Sequence, residues 1–399
     1  MNGRTNTTIP SRLHNAFWLA MFVVAGMTAF FQDSVFAQDL KTPAIIFNGT
    51  TDPSRLDSNA IYYIDGDGKN LKRLSSDDDH IPNIAPFPRW SPDGLHIAFV
   101  NWLTASNGGS FAAELYSIDR DGANRRLLMH VTKEDFGRRT QSITGVAWSP
   151  DGKTLAVTRS ASGLFLVSLD KPGEPRLVIQ AQSAQDISSP VWSPDGKRLA
   201  FYSHGQTAQA AGFTQTSEIH VVNDDGSAEI MVGRSVVQSR FSQHDIPIHW
   251  SADGSKVFFP LMAPSPSGTL TIRAYVSNVD GSADMKLTGN PAYEELSPDG
   301  SRIVFAEGQP GCPQKIFVMN ADGSGAHQAT NDSDWACSSG AWSPDGKRLV
   351  LSCSFVRDPC HTAIGCNWRI FVIAAASSST KLRPIIDRDA MYPSVAPVP

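Results

Sequence analysis

Two histidines, His80 and His244, each stand beside a carboxylate, Asp79 and Asp245, a few residues ahead of a recurring turn sequence. Imidazole next to carboxylate is the pairing used in general acid–base chemistry and in divalent-metal binding. Equivalent places, just before what read as inner strands, hold Arg138 and Arg139, Asp186, Glu294 and Glu295, Asp334 and Trp335, and Asp389. Acids, bases and an indole brought together from separate segments would form a polar pocket for a peptide or a glycan. Trp102, Trp335 and Trp368 would be its stacking surfaces. Each residue also has a plainer reading: an Asp there caps its own turn, and the other charges form a solvated rim. Metal-assisted proton abstraction beside a carboxylate needs a cluster of imidazoles and a separate base. Only two histidines are placed for it, and the acids beside them would repel an acidic sugar. No Gly-x-Ser-x-Gly nucleophile elbow occurs in the chain. No catalytic residue, metal ligand or cofactor is therefore assigned.

The turn that spaces these residues is Ser-Pro-Asp-Gly. It begins at Ser91, Ser149, Ser193, Ser297 and Ser343, with a Ser-Ala-Asp-Gly variant at Ser251, in steps of 44 to 58 residues. A period of that size marks one supersecondary unit copied many times. Pro sets φ for the second turn position, and Gly supplies the left-handed residue that closes a type I turn with a bulge. Apolar runs such as Ile97–Val100, Leu199–Phe201 and Ile303–Phe305 follow the turns and read as strands. Second runs, among them Leu115–Ile118 and Ile316–Met319, lead into Asp/Asn-x-Asp-Gly turns and a weaker fourth strand.

A lone four-stranded antiparallel sheet leaves two apolar faces uncovered. Packing such sheets around a ring covers both, so the expected fold is an all-β propeller. Units beginning near residues 43, 96, 154, 198, 256, 302 and 348 predict seven blades, with six as the alternative. Only six carry the turn motif, so the tail Tyr392–Val395 is expected to pair with Ile45–Phe47 and close the ring. The motif tryptophans Trp90, Trp148, Trp192, Trp250 and Trp342 are expected in the core between blades.

Strand alternation sends the tight turns to one face of the ring. The segments Asn101–Ala113, His204–Thr216, Leu261–Gly268 and Val356–Trp368 go to the other face as long irregular loops, with connections such as Val131–Ser142 and Ser235–Asp245. Long loops on a rigid scaffold are where binding residues concentrate. The candidate binding residues at that channel mouth are His80, Arg138, Asp186, His244, Asp245, Glu294 and Trp335.

The segments Trp-Ser-Pro-Asp-Gly-Lys-Arg-Leu-Ala-Phe (192–201), Trp-Ser-Pro-Asp-Gly-Lys-Arg-Leu (342–349) and Ile-Phe-Val-Met-Asn-Ala-Asp-Gly (316–323) resemble the WD-like propeller repeats of the TolB family. The resemblance covers nearly all of the chain after residue 42 and implies the propeller fold. Similar repeats occur in binding proteins, in the gating domains of peptidases and in uronide lyases. The α/β domain that precedes the propeller in TolB-like proteins has no room between residue 37 and the first strand, so partner contacts made by that domain do not carry over. The reading that follows is an exported scaffold binding a protein, peptide or envelope glycan. The alternative is a lyase on short acidic sugars, like the oligogalacturonide lyases, with a divalent metal.

Arg4 and Arg12 precede an apolar run from Ala16 to Phe31, and Val35-Phe36-Ala37 fits the small-x-small rule. Residues 1–37 are thus read as a signal peptide and 38–399 as a single propeller domain, periplasmic or secreted. No stable membrane span is expected after cleavage. The formal net charge of −5 offers no basic excess for nucleic acid. All five cysteines fall late in the chain, and export favours disulfides. Cys360–Cys366 and Cys312–Cys337 are the favoured bridges. A metal site of Cys353, Cys360, His361 and Cys366 is the alternative. Asp65-Gly66-Asp67-Gly68 lacks the distal Glu of a calcium loop.

Overall fold

Each Ser-Pro-Asp-Gly copy folds as a self-contained hydrogen-bonded unit. In the computed structural model the glycine N–H donates to the serine carbonyl three residues back, as in Gly196 to Ser193 at 2.9 Å and Gly254 to Ser251 at 2.8 Å. The six glycines take φ between 63° and 70°, a region that a side chain would strain. The serine hydroxyl donates to the aspartate carboxylate, 2.6 Å in Ser149–Asp151, Ser193–Asp195, Ser251–Asp253 and Ser297–Asp299. The same carboxylate receives the next main-chain N–H, such as Lys197 at 3.1 Å. The serine hydroxyl, the aspartate carboxylate and the glycine N–H are all paired within the bend, which favours the turn wherever this sequence is written.

The structure describes residues 20–21, 44–50, 60–65, 70, 72–76, 79, 88–104, 111–131, 143–182, 185–209, 212–238, 248–264, 270–282, 284–286, 291–307, 315–331, 334–343, 345–355, 368–376, 382, 384–386 and 394–395. These form seven antiparallel sheets. Blade 1 comprises Ala44–Thr50, Ala60–Asp65 and Lys72–Arg73, with Ser394–Val395 against its first strand. Ser394 pairs with Ile46 and Val395 with Ile45, so the chain's two ends meet in one sheet. A further pair, Ala20–Met21, lies along Gly49–Thr50. The rest of the expected signal peptide lies outside the described residues.

Blade 2 runs Arg89–Trp90, His96–Thr104, Phe111–Asp119 and Arg126–Val131. Blade 3 runs Ile143–Trp148, Thr154–Arg159, Gly163–Ser168 and Arg176–Gln180. Blade 4 runs Gln185–Trp192, Arg198–Gln209, Gly212–Asn223 and Ile230–Gln238. Blade 5 runs His249–Trp250, Lys256–Pro264, Leu270–Asn278 and Asp284–Lys286. Blade 6 runs Pro291–Leu296, Arg302–Glu307, Lys315–Asn320 and His327–Gln328. Blade 7 runs Trp335–Trp342, Arg348–Phe355, Trp368–Ala374 and Pro384–Ile386. No helix among the described residues is long and apolar enough to cross a membrane.

The core lies between blades. Val191, Ala200, Tyr202 and Ile219 of blade 4 pack on Trp250, Val257, Phe259 and Leu261 of blade 5. The motif tryptophans do more than fill this space. Trp148 Nε1 donates to Arg89 O, Trp192 to Ala147 O, Trp250 to Val191 O and Trp342 to Glu295 O, at 3.1–3.3 Å. Each indole therefore hydrogen-bonds the inner strand of the blade before it. Arg198 and Arg302 lie over Trp250 and Trp342 and donate to the turn carbonyls of Gly254 and Gly346. The arginine two residues after the turn glycine thus ties its own turn to that of the next blade.

The disulfide differs from expectation. Cys337 pairs with Cys353, not with Cys312. The two face each other on neighbouring antiparallel strands of blade 7 with Cα atoms 3.9 Å apart, and both are buried. Strand register, not loop proximity, chooses the partner. Cys312, Cys360 and Cys366 lie outside the described residues.

Candidate binding face

The two ends of the ring are built differently. One carries the matched turns. The other carries the hairpins between second and third strands, and one of these is not the loop its polar sequence suggests. His204–Thr216 continues both strands of blade 4 in unbroken register, from His204 opposite Ser217 to Gln209 opposite Gly212. Main-chain ladder bonds override the weak strand preference of Gly205-Gln206-Thr207-Ala208-Gln209. In blade 2 the ladder extends to Thr104 opposite Phe111, and in blade 5 to Pro264 opposite Leu270. The expected irregular loops there begin later than the sequence suggests. Residues 105–110, 132–142, 239–247, 265–269 and 356–367 lie outside the described residues.

At the root of the blade 4 hairpin sits a polar row that sequence reading missed. His204 is buried, with Nε2 3.2 Å from Ser188 Oγ and Nδ1 3.1 Å from Ser217 Oγ. The row crosses three strands and stacks on Tyr202, whose hydroxyl donates to Pro260 O in blade 5. A bulge follows Ser188, and Ser189 takes a left-handed φ of 51° directly before Pro190. Gly145 of blade 3 makes room for this kink: a Cβ there would stand 2.4 Å from Pro190 Cδ. The alternation of Tyr202 and His204 about Ser203 was the available signal for strand, masked by the glycine that follows.

The candidate mouth residues divide sharply. His80, Arg138, His244 and Asp245 lie outside the described residues, as do Arg139 and Asp389. Glu294 lies within the inner strand of blade 6, opposite Phe305. Asp186 lies within the inner strand of blade 4, opposite His204. Its carboxylate receives the Ser160 hydroxyl at 2.7 Å and the Ala161 N–H at 3.1 Å, bracing the left-handed bend of blade 3. Trp335 is corrected. Only 8% exposed, it meets Phe371 edge-on in the core of blade 7, so it is no stacking surface. The inner strand of blade 7 begins at Trp335 itself, which draws the indole inward.

Two neighbours of that set are also structural. Glu295 is buried and accepts the main-chain N–H of Trp342 at 3.2 Å, crossing from blade 6 to blade 7. Asp79 is buried and receives both guanidinium nitrogens of Arg125 at 2.7 Å and the Ser76 N–H at 2.8 Å. Arg125 in turn lies 3.9 Å above the Tyr116 ring. Although burial opposes its charge, the Asp79 carboxylate holds the guanidinium pKa above its ordinary value. Trp102 is half-buried against the core shared by blades 2 and 3. Among the described residues no three of His, Cys, Asp and Glu converge as a metal ligand set, so no step is derived through a metal.

The model of the WD domain, G-beta repeat matches residues 132–166. The fold is similar to a putative TolB from Agrobacterium tumefaciens, 18% identical, over 70% of this chain and 90% of that one, with a TM-score of 0.44. It is similar to an oligogalacturonate lyase in complex with manganese, 15% identical, over 78% and 82%, with a TM-score of 0.53. It is also similar to the β-propeller domain of the Trilobed protease from Pyrococcus furiosus, described as having an open velcro topology, 11% identical, over 88% and 96%, with a TM-score of 0.53. The chain thus has a β-propeller fold, one segment of which matches the WD repeat.

Proposed function

We propose that this protein is an exported binding scaffold. It takes up a protein, peptide or envelope glycan on the face that carries the second-to-third hairpins. The observation that carries this reading is the contrast between faces. The turn face repeats one bend whose serine, aspartate and glycine N–H are paired within it, whereas the described second-to-third hairpins differ in length from blade to blade. Rigid rings that vary on one face bind there. Residues 1–37 supply the export signal, and residues 38–399 work in the periplasm or outside the cell. His80, Arg138, His244 and Asp245, which the repeat spacing sets ahead of inner strands, are the residues proposed to contact the ligand, together with Glu294.

The test offers the mature chain to peptide and glycan arrays beside a His80→Ala/His244→Ala variant. A ligand held by the wild type and weakened in the variant supports the reading. Oligogalacturonide cleavage that requires added manganese, with no ligand retained on either array, would replace it with lyase chemistry.

A further inference from the structure

We infer that the blade 4 hairpin adds an extended peptide of a second protein as an extra strand, along its channel-side edge at Gln206–Gln209. This rests on the scaffold reading above and specifies its partner.

Strand Arg198–Gln209 is paired on its outer side along its whole length, ending at Gln209 opposite Gly212. On its inner side the pairing stops at Gly205 opposite Gln185. The inner strand cannot continue, because Gln185 N–H donates to Gln182 O at 3.0 Å in a turn that follows directly on the outer strand of blade 3. No strand among the described residues lies along the inner side of Gln206–Gln209. Main-chain donors and acceptors on that side are therefore offered in strand geometry, and no strand of blade 4 among the described residues meets them.

Proteins normally blunt such an edge with lysine, proline or a bulge. Here the edge reads Gln206-Thr207-Ala208-Gln209, without charge or proline, and its register with the third strand is unbroken. The row His204, Ser188 and Ser217 stiffens the root, so the edge is held rather than loose.

The chemistry of the edge selects the occupant. Alternating N–H and C=O groups facing one way recur every second residue, roughly 6.6–6.8 Å apart. Another extended main chain matches that row, and a sugar does not. Gln185–Trp192 is the first strand of its sheet, the position nearest the axis in a propeller, so the edge it leaves faces that axis.

The experiment selects binders for the mature chain from a displayed library of short random peptides. The best synthetic peptide is then N-methylated one residue at a time, and amide hydrogen exchange is followed in the protein. The expected result is slowed exchange within Gln206–Gln209, with binding weakened about fivefold or more by methylation at every second peptide residue and little changed between. A peptide that binds but protects other amides, or loses affinity without that alternation, overturns strand addition and leaves the scaffold reading standing. Concentration-dependent dimers that protect the same amides without peptide overturn the foreign peptide as occupant. Recovery of no binder at all counts against both.

Discussion

Aspartate serves this molecule in two ways at the residue scale. The turn aspartates are exposed acceptors of local hydroxyl and main-chain donors. The Ser251 hydroxyl, followed by the N–H and hydroxyl of Ser255, brings Asp253 from 3.8 down to about 2. Asp225, Asp280 and Asp322 are lowered in the same direction, chiefly by the hydroxyls of Ser227, Ser282 and Ser324. A depressed carboxylate contributes stability above its unfolded pKa and loses it as pH falls through the folded one. Thermal midpoints should thus hold near neutrality and drop between about pH 4 and pH 2, with a shallower drop in Asp253→Asn. Asp79 is the opposite case, a buried carboxylate closed on Arg125. Asp79→Ala strands the guanidinium against Tyr116 and should cost about 3 kcal/mol in denaturant unfolding. The sequence shows that Asp79 precedes an inner strand. It does not show Arg125, 46 residues further on, which is where its charge is spent.

At the scale of elements, hairpin turns were legible because Ser-Pro-Asp-Gly satisfies itself. The longer hairpins were not, because their pairing is decided by main-chain register across residues of poor strand preference. The same limit hid the disulfide. Nothing in the spacing of five cysteines says that Cys337 and Cys353 stand opposite each other. Their removal as Cys337→Ala/Cys353→Ala should lower stability by about 3 kcal/mol for the 16-residue separation, measured against the oxidised wild type. Gly233 tests element packing separately. An added Cβ would stand 2.5 Å from the Phe259 ring of blade 5. Gly233→Ala should therefore cost about 1–3 kcal/mol, and Gly233→Ala/Phe259→Leu should recover part of it.

For the whole molecule, the repeat made the propeller readable from the sequence, and the tail strand Ser394–Val395 pairs with the first strand of blade 1. That junction differs from the others in one respect. Register places Ser394 where Arg89 stands in the next blade, yet Trp90 Nε1, buried like its counterparts, has no hydrogen-bond partner among the described residues. What the sequence left open is the ligand, since the face that differs between blades is also where its residues carry the least pattern. The most direct measurement is ligand binding by three proteins: the mature wild type, a variant in which Asn-Gly replaces Gln206–Gln215, and a turn-face variant Lys153→Glu/Lys347→Glu. Unfolding curves would check that all three retain the ring. Binding by the wild type and the turn-face variant, lost when the hairpin is shortened, is the predicted result. Binding kept by the shortened hairpin and lost from the turn face would contradict the account.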